Sequence, residues 1–460
     1  MQTHEQLSHT ARATLRRNDR GGYTLPTDGL YPFQWNWDAG ITALGWMTFD
    51  PDRAWQEYDT LFRGQWGPDH FGGANDGFLA QITFHQDSDT YFPGPDQWGT
   101  DRLALRTSTI SQPPLHATML RWMWQAAQQA AARDSACAPQ LAMARERLAV
   151  LLPKVLAHHR WWYRCRDPQG SGLVVNTHPW ETGMDNSPAW DEPLRAVPPT
   201  ERAYVRKDLT HVDASMRPPK AFYDRVVRLM DFNSEVGFDP VRIFNGCPYR
   251  VNDIGIICIL QRASIDLAAL CTEFGMEAPA QEMQMHVQRT RHAVQALWSA
   301  RWGQYVSRDS RTGQLQDVPT SAGLLAAYAG FDQDCASTIA DWLMETRYGL
   351  PSTRSSFGGF EPKRYWRGPV WQHMNMLIAT GLADRGHTAL AERIRFDSAE
   401  LLRQQGFHEY YDPLTGNGLG GAEFSWTAAT YLHWIHPVAA GTQGGVATSG
   451  GTPAAAHADR

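Results

Sequence analysis

Apolar residues recur at helical spacing in about a dozen segments from one end of this chain to the other, and no βαβ alternation interrupts them. That pattern argues against a doubly wound sheet and for an all-α domain in which paired helices close into a toroid. The spacing predicts helices over 36–48, 51–64, 114–133, 140–163, 219–231, 253–274, 280–299, 320–329, 334–347, 369–383, 387–404 and 424–436. Asp50 and Pro51 form a start signal for the second, a capping residue followed by a first-turn proline. Pro153 is expected to kink or divide the fourth. Residues 302–318 read as a small β-hairpin turning at Thr312-Gly313, a decoration that a helical toroid could carry. Beyond Pro437 the chain is small, Gly-rich and poor in apolar bulk, so 1–438 is expected to be one domain and 439–460 a disordered tail.

At 460 residues, with 42% hydrophobic content, the chain can bury a large core. Forty-two basic residues against 48 acidic ones give a net charge of -6, and no Lys/Arg stripe suggests a nucleic-acid partner. The first twenty residues are polar, without the apolar core of a signal peptide. No later stretch reads as a membrane-spanning run of about 20 apolar residues, so no membrane partner is expected and the location expected is cytoplasmic. Six cysteines lack any CxxC pair and 17 histidines lack HExxH, which argues against a disulfide framework and a metal site. Tryptophan is in excess, 19 Trp against 18 Phe and 15 Tyr. Indole faces bury well, and they also stack on the C–H faces of sugar rings.

The informative stretches lie between helices, where a rigid scaffold presents its chemistry. LYPFQWNWD (30–38) puts four aromatics and Asp38 at a helix start, where an acid is favoured by the helix dipole alone. YFPGPDQWG (91–99) and TSTISQPP (107–114) carry Trp98 and Gln112, and the plainer reading makes Gln112 a cap on the helix beginning at Pro113. HPWETGMDNSPAWDEP (178–193) crowds Glu181, Asp185, Asp191 and Glu192 between prolines that forbid a regular helix. Such clusters are usually solvated, but a carboxyl held against Trp180 or Trp190 loses hydration and can keep a proton as a general acid. FEPKRYWRGPVW (360–371) and GFHEYYDPLTGNGLGGAEFSW (406–426) add Glu409 and Glu423. Converging at one mouth of a toroid, these loops would build a polar, aromatic-walled pocket suited to carbohydrate.

YPFQWNWD, HPWETGMDNSPAWD, RYWRGPVW and EYYDPLTGNGLGGAEFSWTA resemble, in order and over about residues 28–436, glycoside hydrolase family 63 and its bacterial members acting on glucosylglycerate and mannosylglycerate. The resemblance implies one (α/α)6 barrel with long active-site loops and an inverting mechanism that needs neither metal nor organic cofactor. By resemblance, Asp185 matches the general acid and Glu409 the general base. They are 224 positions apart, so only the fold can bring them together. Tyr31, Trp35, Asp38, Gln112, Trp180, Tyr365, Trp366 and Trp371 match positions around the scissile sugar. In MRPPKAFYDR (216–225), Arg217 and Tyr223 fit contacts to the glycerate carboxylate, unless Arg217 merely pairs with Asp213 or Asp224. The later segment carries Asn252-Asp253 where a Gln-Asp pair is commoner in the family, which leaves the aglycone side open. A small-molecule sugar is the partner implied. A trehalase-like α-glucosidase of the same barrel superfamily is the alternative enzyme, and a sugar-binding toroid without catalysis is the alternative of another class.

Overall fold

The computed structural model describes residues 3–436, and the expected tail lies outside them. Its helices come as sequential pairs. Asn36–Met47 packs on Pro51–Leu61, His116–Arg133 on Ala138–Arg166, Ile254–Glu273 on Glu277–Ala293, and Gln372–Asp384 on Thr388–Gln405. The first member of each pair also touches the first member of another. Asn36–Met47 packs against His116–Arg133, that helix against Ile254–Glu273, and the series continues through Ala326–Ala329 and Gln372–Asp384 to Ser425–Thr430, which returns to Asn36–Met47.

The sequence explains which helices lie inside. Ile254–Glu273 and Gln372–Asp384 are apolar on nearly every face and almost wholly buried, whereas Glu277–Ala293 and Thr388–Gln405 bury one stripe and turn charge outward. Small residues let the inner helices approach one another. A Cβ on Gly45 would lie 2.6 Å from Ala429, and one on Gly381 would lie 2.2 Å from the backbone of Tyr328. Because each inner helix is followed by an outer one running back, the segments that enter the inner helices gather at one end. Those entries hold the aromatic stretches singled out above.

Asp50 caps Pro51–Leu61 by accepting from the Arg53 N–H at 3.2 Å, as its spacing predicts. Ala138–Arg166 runs through Pro153 as a single helix. The 320–329 segment forms two short helices, Ser321–Leu324 and Ala326–Ala329. Among the helices not expected, His4–Asn18 opens with a Thr3/Gln6 capping box, and its buried apolar residues are only Leu7, Ala11 and Leu15. Ile254–Glu273 also corrects the reading that no stretch is long and apolar enough to span a membrane. Its apolar window has a mean hydropathy of 1.8, yet 83% of it is buried inside the fold.

The hairpin forms between Ser307–Asp309 and Leu315–Gln316, with Gly313 at φ +76° in its turn, and Val251–Asn252 adds a third strand. It is not the only β element, which corrects the expectation of a helical fold with a single hairpin. Gln34–Trp35, Ile82–Phe84 and Arg106–Thr107 form a second small sheet, and His408–Tyr411 pairs with Gly418–Ala422. Strands this short carry too few residues for an alternating pattern to register.

Candidate active site

The loop 178–193 is shaped by its prolines. Pro179 and Pro188 each start a single tight turn, Pro179–Thr182 and Pro188–Trp190. Just before the first, His178 holds the loop, accepting from the Trp180 N–H and donating to the Val226 carbonyl, both at 3.1 Å. Burial pushes its ring down to about 3, so it acts as a neutral spacer. Trp190 donates to the Met184 carbonyl at 2.8 Å and sinks into a small core with Leu229, Ile243 and Tyr249.

The four crowded carboxylates part company here. Glu181 is fully buried, ion-paired with Arg166 and accepting the Thr177 N–H at 3.0 Å. Asp191 and Glu192 make surface pairs with Arg367 and Arg195. Of the four, only Asp185 lines the central pocket.

Nearly all the expected residues meet in that pocket. Tyr31, Trp35, Asp38, Gln112, Trp180, Arg217, Tyr223, Tyr365 and Trp366 line it together with Asp185 and Glu409. Trp371 does not. It stands one layer behind, stacked on Trp366 at 3.8 Å, because it occupies the capping position of Gln372–Asp384 rather than the loop tip. Gln112 caps a helix other than its own: its side-chain oxygen accepts from the Trp37 N–H at 3.3 Å, while its own helix starts later, at His116. Asp38 lies in the first turn of Asn36–Met47 and is 5% exposed. Asn252 and Asp253 lie elsewhere and serve the scaffold, Asn252 bonding Arg308 and Asp253 capping Ile254–Glu273.

Sequence reasoning missed Trp37, Tyr91, Asp208 and Trp426, which also line the pocket. Trp37 and Trp426 stood inside the motifs already quoted. Asp208 lies in an irregular stretch with no periodic or motif signal, in the short turn Asp208–Thr210.

The two distant carboxyls sit in different surroundings. Glu409, on the strand His408–Tyr411, accepts from the Tyr31 hydroxyl at 2.9 Å and the Gly421 N–H at 3.1 Å, with the Arg217 guanidinium 4.0 Å away. Burial raises its carboxyl, and those three neighbours pull it back toward the ionised form. The opposite strand reaches it only because residue 420 is glycine at φ +69°, where a Cβ would lie 2.3 Å from Glu409 Oε2.

Asp185 has no such support: among the described residues, no other residue donates a hydrogen bond to it. Burial, opposed by Arg217 and reinforced by the Glu409 charge, pushes it up to about 8. Asp38 is likewise held well above the usual carboxylate range by burial and by Glu409. Glu423 is excluded from the pocket; it is exposed and pairs with Arg17 on His4–Asn18.

Arg217 is 4% exposed, with its guanidinium 4.2 Å above the Tyr365 ring. It donates to the Tyr31 hydroxyl and to Asp208 Oδ2, each at 3.0 Å. Neither of the partners considered from sequence takes it. Asp213 caps the turn Ala214–Met216, and Asp224 binds Lys220 and Tyr204. Tyr223 also donates to Asp208 Oδ2, at 3.1 Å. Among the described residues no cluster of His, Cys, Asp and Glu is arranged to hold a metal ion.

Residues 31–427 match the model of the mannosylglycerate hydrolase MGH1-like glycoside hydrolase domain. Mannosylglycerate hydrolase of Thermus thermophilus is 44% identical over 427 residues, covering 91% of this chain and 98% of that protein. Glucosylglycerate hydrolase of Mycolicibacterium hassiacum is 32% identical, covering 94% and 98%. A crystal structure of the family 63 mannosylglycerate hydrolase from Thermus thermophilus, in complex with Tris and D-glycerate, matches with a TM-score of 0.86 at 44% identity, covering 93% of this chain and 99% of that one. With a matching family model over most of its length and relatives this close over nearly all of it, the chain belongs to glycoside hydrolase family 63, in its mannosylglycerate hydrolase group.

Proposed function

We propose that this protein is an inverting glycosidase that hydrolyses an α-glycosyl glycerate, glucosylglycerate or mannosylglycerate or both, to the free sugar and glycerate. The observation that carries the reading is the contrast between the two facing carboxyls. Asp185, pushed up to about 8, keeps its proton at neutral pH, while Glu409 is surrounded by donors that favour its charge. Asp185 gives its proton to the glycosidic oxygen as that bond breaks. Glu409 takes a proton from a water, which attacks the anomeric carbon from the opposite ring face. Such a pair needs about 6.5–9.5 Å between carboxyls to admit the water, a spacing that suits residues on separate loops. Trp35, Trp180 and Trp366 supply apolar faces for the ring, and Asp38 supplies hydrogen bonds to its hydroxyls.

The same reading takes the ring of inner and outer helices as one (α/α)6 barrel within residues 1–438. It needs no cofactor.

Arg217 and Tyr223 beside the two carboxyls favour an anionic aglycone over trehalose. A neutral trehalase of Saccharomyces cerevisiae shares the fold, at a TM-score of 0.52 and 16% identity. Hydrolysis of glucosylglycerate, mannosylglycerate, trehalose and kojibiose by the purified protein tests this, with turnover expected on the first two. Replacing Arg217 with Ala should cost about 2–4 kcal/mol in kcat/KM toward the glyceroside, the loss typical when one partner of a buried charge pair is truncated. Activity on the neutral glycerol glycoside should fall far less. Equal losses on both would assign Arg217 to the fold rather than to the aglycone.

A further inference from the structure

The donors suited to a substrate carboxylate are already engaged by a carboxylate of the protein. Asp208 accepts from Arg206 Nε at 3.0 Å and Arg206 Nη2 at 2.7 Å, from Arg217 Nε at 3.0 Å, and from the Tyr223 hydroxyl at 3.1 Å. Tyr223 has a single proton to give, and it points at Asp208. Arg206 lies flat on the Tyr223 ring at 3.8 Å and donates its remaining edge to the Pro218 carbonyl, so it is fixed as the partner of Asp208. Asp208 nevertheless lines the pocket with Arg217, Tyr223, Asp185 and Glu409.

The charges make the consequence concrete. Asp208 pairs with both Arg206 and Arg217, and Arg217 also lies 4.0 Å from Glu409. Burial alone would raise Asp208, but Arg206 and Arg217 hold it down to about 2, so it stays ionised throughout the neutral range. The guanidinium of Arg217 is already shared with carboxyl groups of the protein, which weakens its attraction for an arriving anion. A substrate carboxylate has to share Arg217 with Asp208 and compete for the Tyr223 proton.

We propose that Asp208 is an internal counter-anion of the aglycone subsite, a specificity-determining residue that occupies part of the donor set a glycerate carboxylate needs. It thereby keeps that carboxylate weakly held. The inference rests on the proposed function. Its chemical logic is that tight holding of a carboxylate present in both substrate and product lowers KM without lowering the barrier, and delays departure of the leaving group. A neutralised guanidinium reads the carboxylate by geometry without retaining it by charge.

The test is charge removal at nearly constant shape. Asp208→Asn removes the negative charge that pairs with Arg206 and Arg217. Isothermal titration should show D-glycerate binding at least fivefold more tightly than to the parent, without the same gain for glycerol, and the KM for the glyceroside should fall in parallel. Arg206→Gln works in the opposite direction, because Asp208 then draws on Arg217 alone, and D-glycerate should bind several-fold more weakly. This second variant decides the matter if Asp208→Asn proves unfolded by circular dichroism.

Unchanged or weaker D-glycerate binding by a folded Asp208→Asn protein would overturn the inference and make Asp208 a mere support for Arg217. So would unaltered binding by Arg206→Gln. If instead the parent neither binds D-glycerate nor hydrolyses a glyceroside, the proposed function itself fails, which these titrations distinguish.

Discussion

Asp185→Asn is expected to lower kcat on the glyceroside at least a hundredfold while leaving the fold intact. An amide of the same shape cannot give up a proton to the departing oxygen, and general acid catalysis is typically worth about 10²–10⁴. The parent's pH profile carries the same signature. Because burial pushes Asp185 up to about 8, kcat should hold through neutrality and decline as the pH rises through that value. In Asp185→Asn the residual rate should lose that limb.

Stability follows pH in the same sense. A carboxyl whose folded pKa is raised contributes most below its unfolded value near 4, and that contribution is lost as the pH rises through about 8. The variant, which has no proton to lose, should therefore melt no lower than the parent at pH 8. Retention of activity within threefold would assign proton donation to another group.

Glu409→Gln is expected to abolish turnover, whereas Glu423→Gln should leave most of it. The two residues share one C-terminal motif but differ in every physical respect. Glu409 is 1% exposed and held by the Tyr31 hydroxyl, the Gly421 N–H and the nearby Arg217, all of which oppose the upward shift that burial gives its carboxyl. Glu423 sits on the surface against Arg17, an exposed ion pair of a kind worth about 0–1 kcal/mol. Single-turnover rates with the glyceroside distinguish them directly. A larger loss at position 423 would transfer the role of base and require the Gly418–Ala422 strand to refold in solution.

Much of this site was legible because its residues stand in compact stretches next to helix starts. Asp38 follows an aromatic run into a helix, Tyr365 and Trp366 precede another, and Glu409 precedes a Gly-rich turn. The helical pairs were legible for a similar reason, since each of the long ones repeats its apolar stripe over several turns. What escaped has a shorter range. Two-residue strands carry no period, and Thr3/Gln6 was a capping box in front of a stripe only three residues deep.

Asp208 escaped because its importance comes from Arg206, Arg217 and Tyr223 surrounding it in space, not from its neighbours in a motif. Gln112 shows the opposite error. Capping was the right chemistry for it, and the helix it caps lies 75 positions upstream. The carboxylate cluster at 181–192 was resolved only by partners that sequence spacing does not reveal: Arg166 for Glu181 and Arg367 for Asp191.

The central claim is that Asp185 and Glu409 perform a single displacement by water. The direct measurement is proton NMR of the sugar released from an α-linked glucosylglycerate or mannosylglycerate, recorded before mutarotation mixes the anomers. A single displacement predicts that the first signal to grow is the β-anomer, with the α-anomer arising only afterwards in solution. Initial release of the α-anomer, or capture of a covalent glycosyl-enzyme, would contradict it.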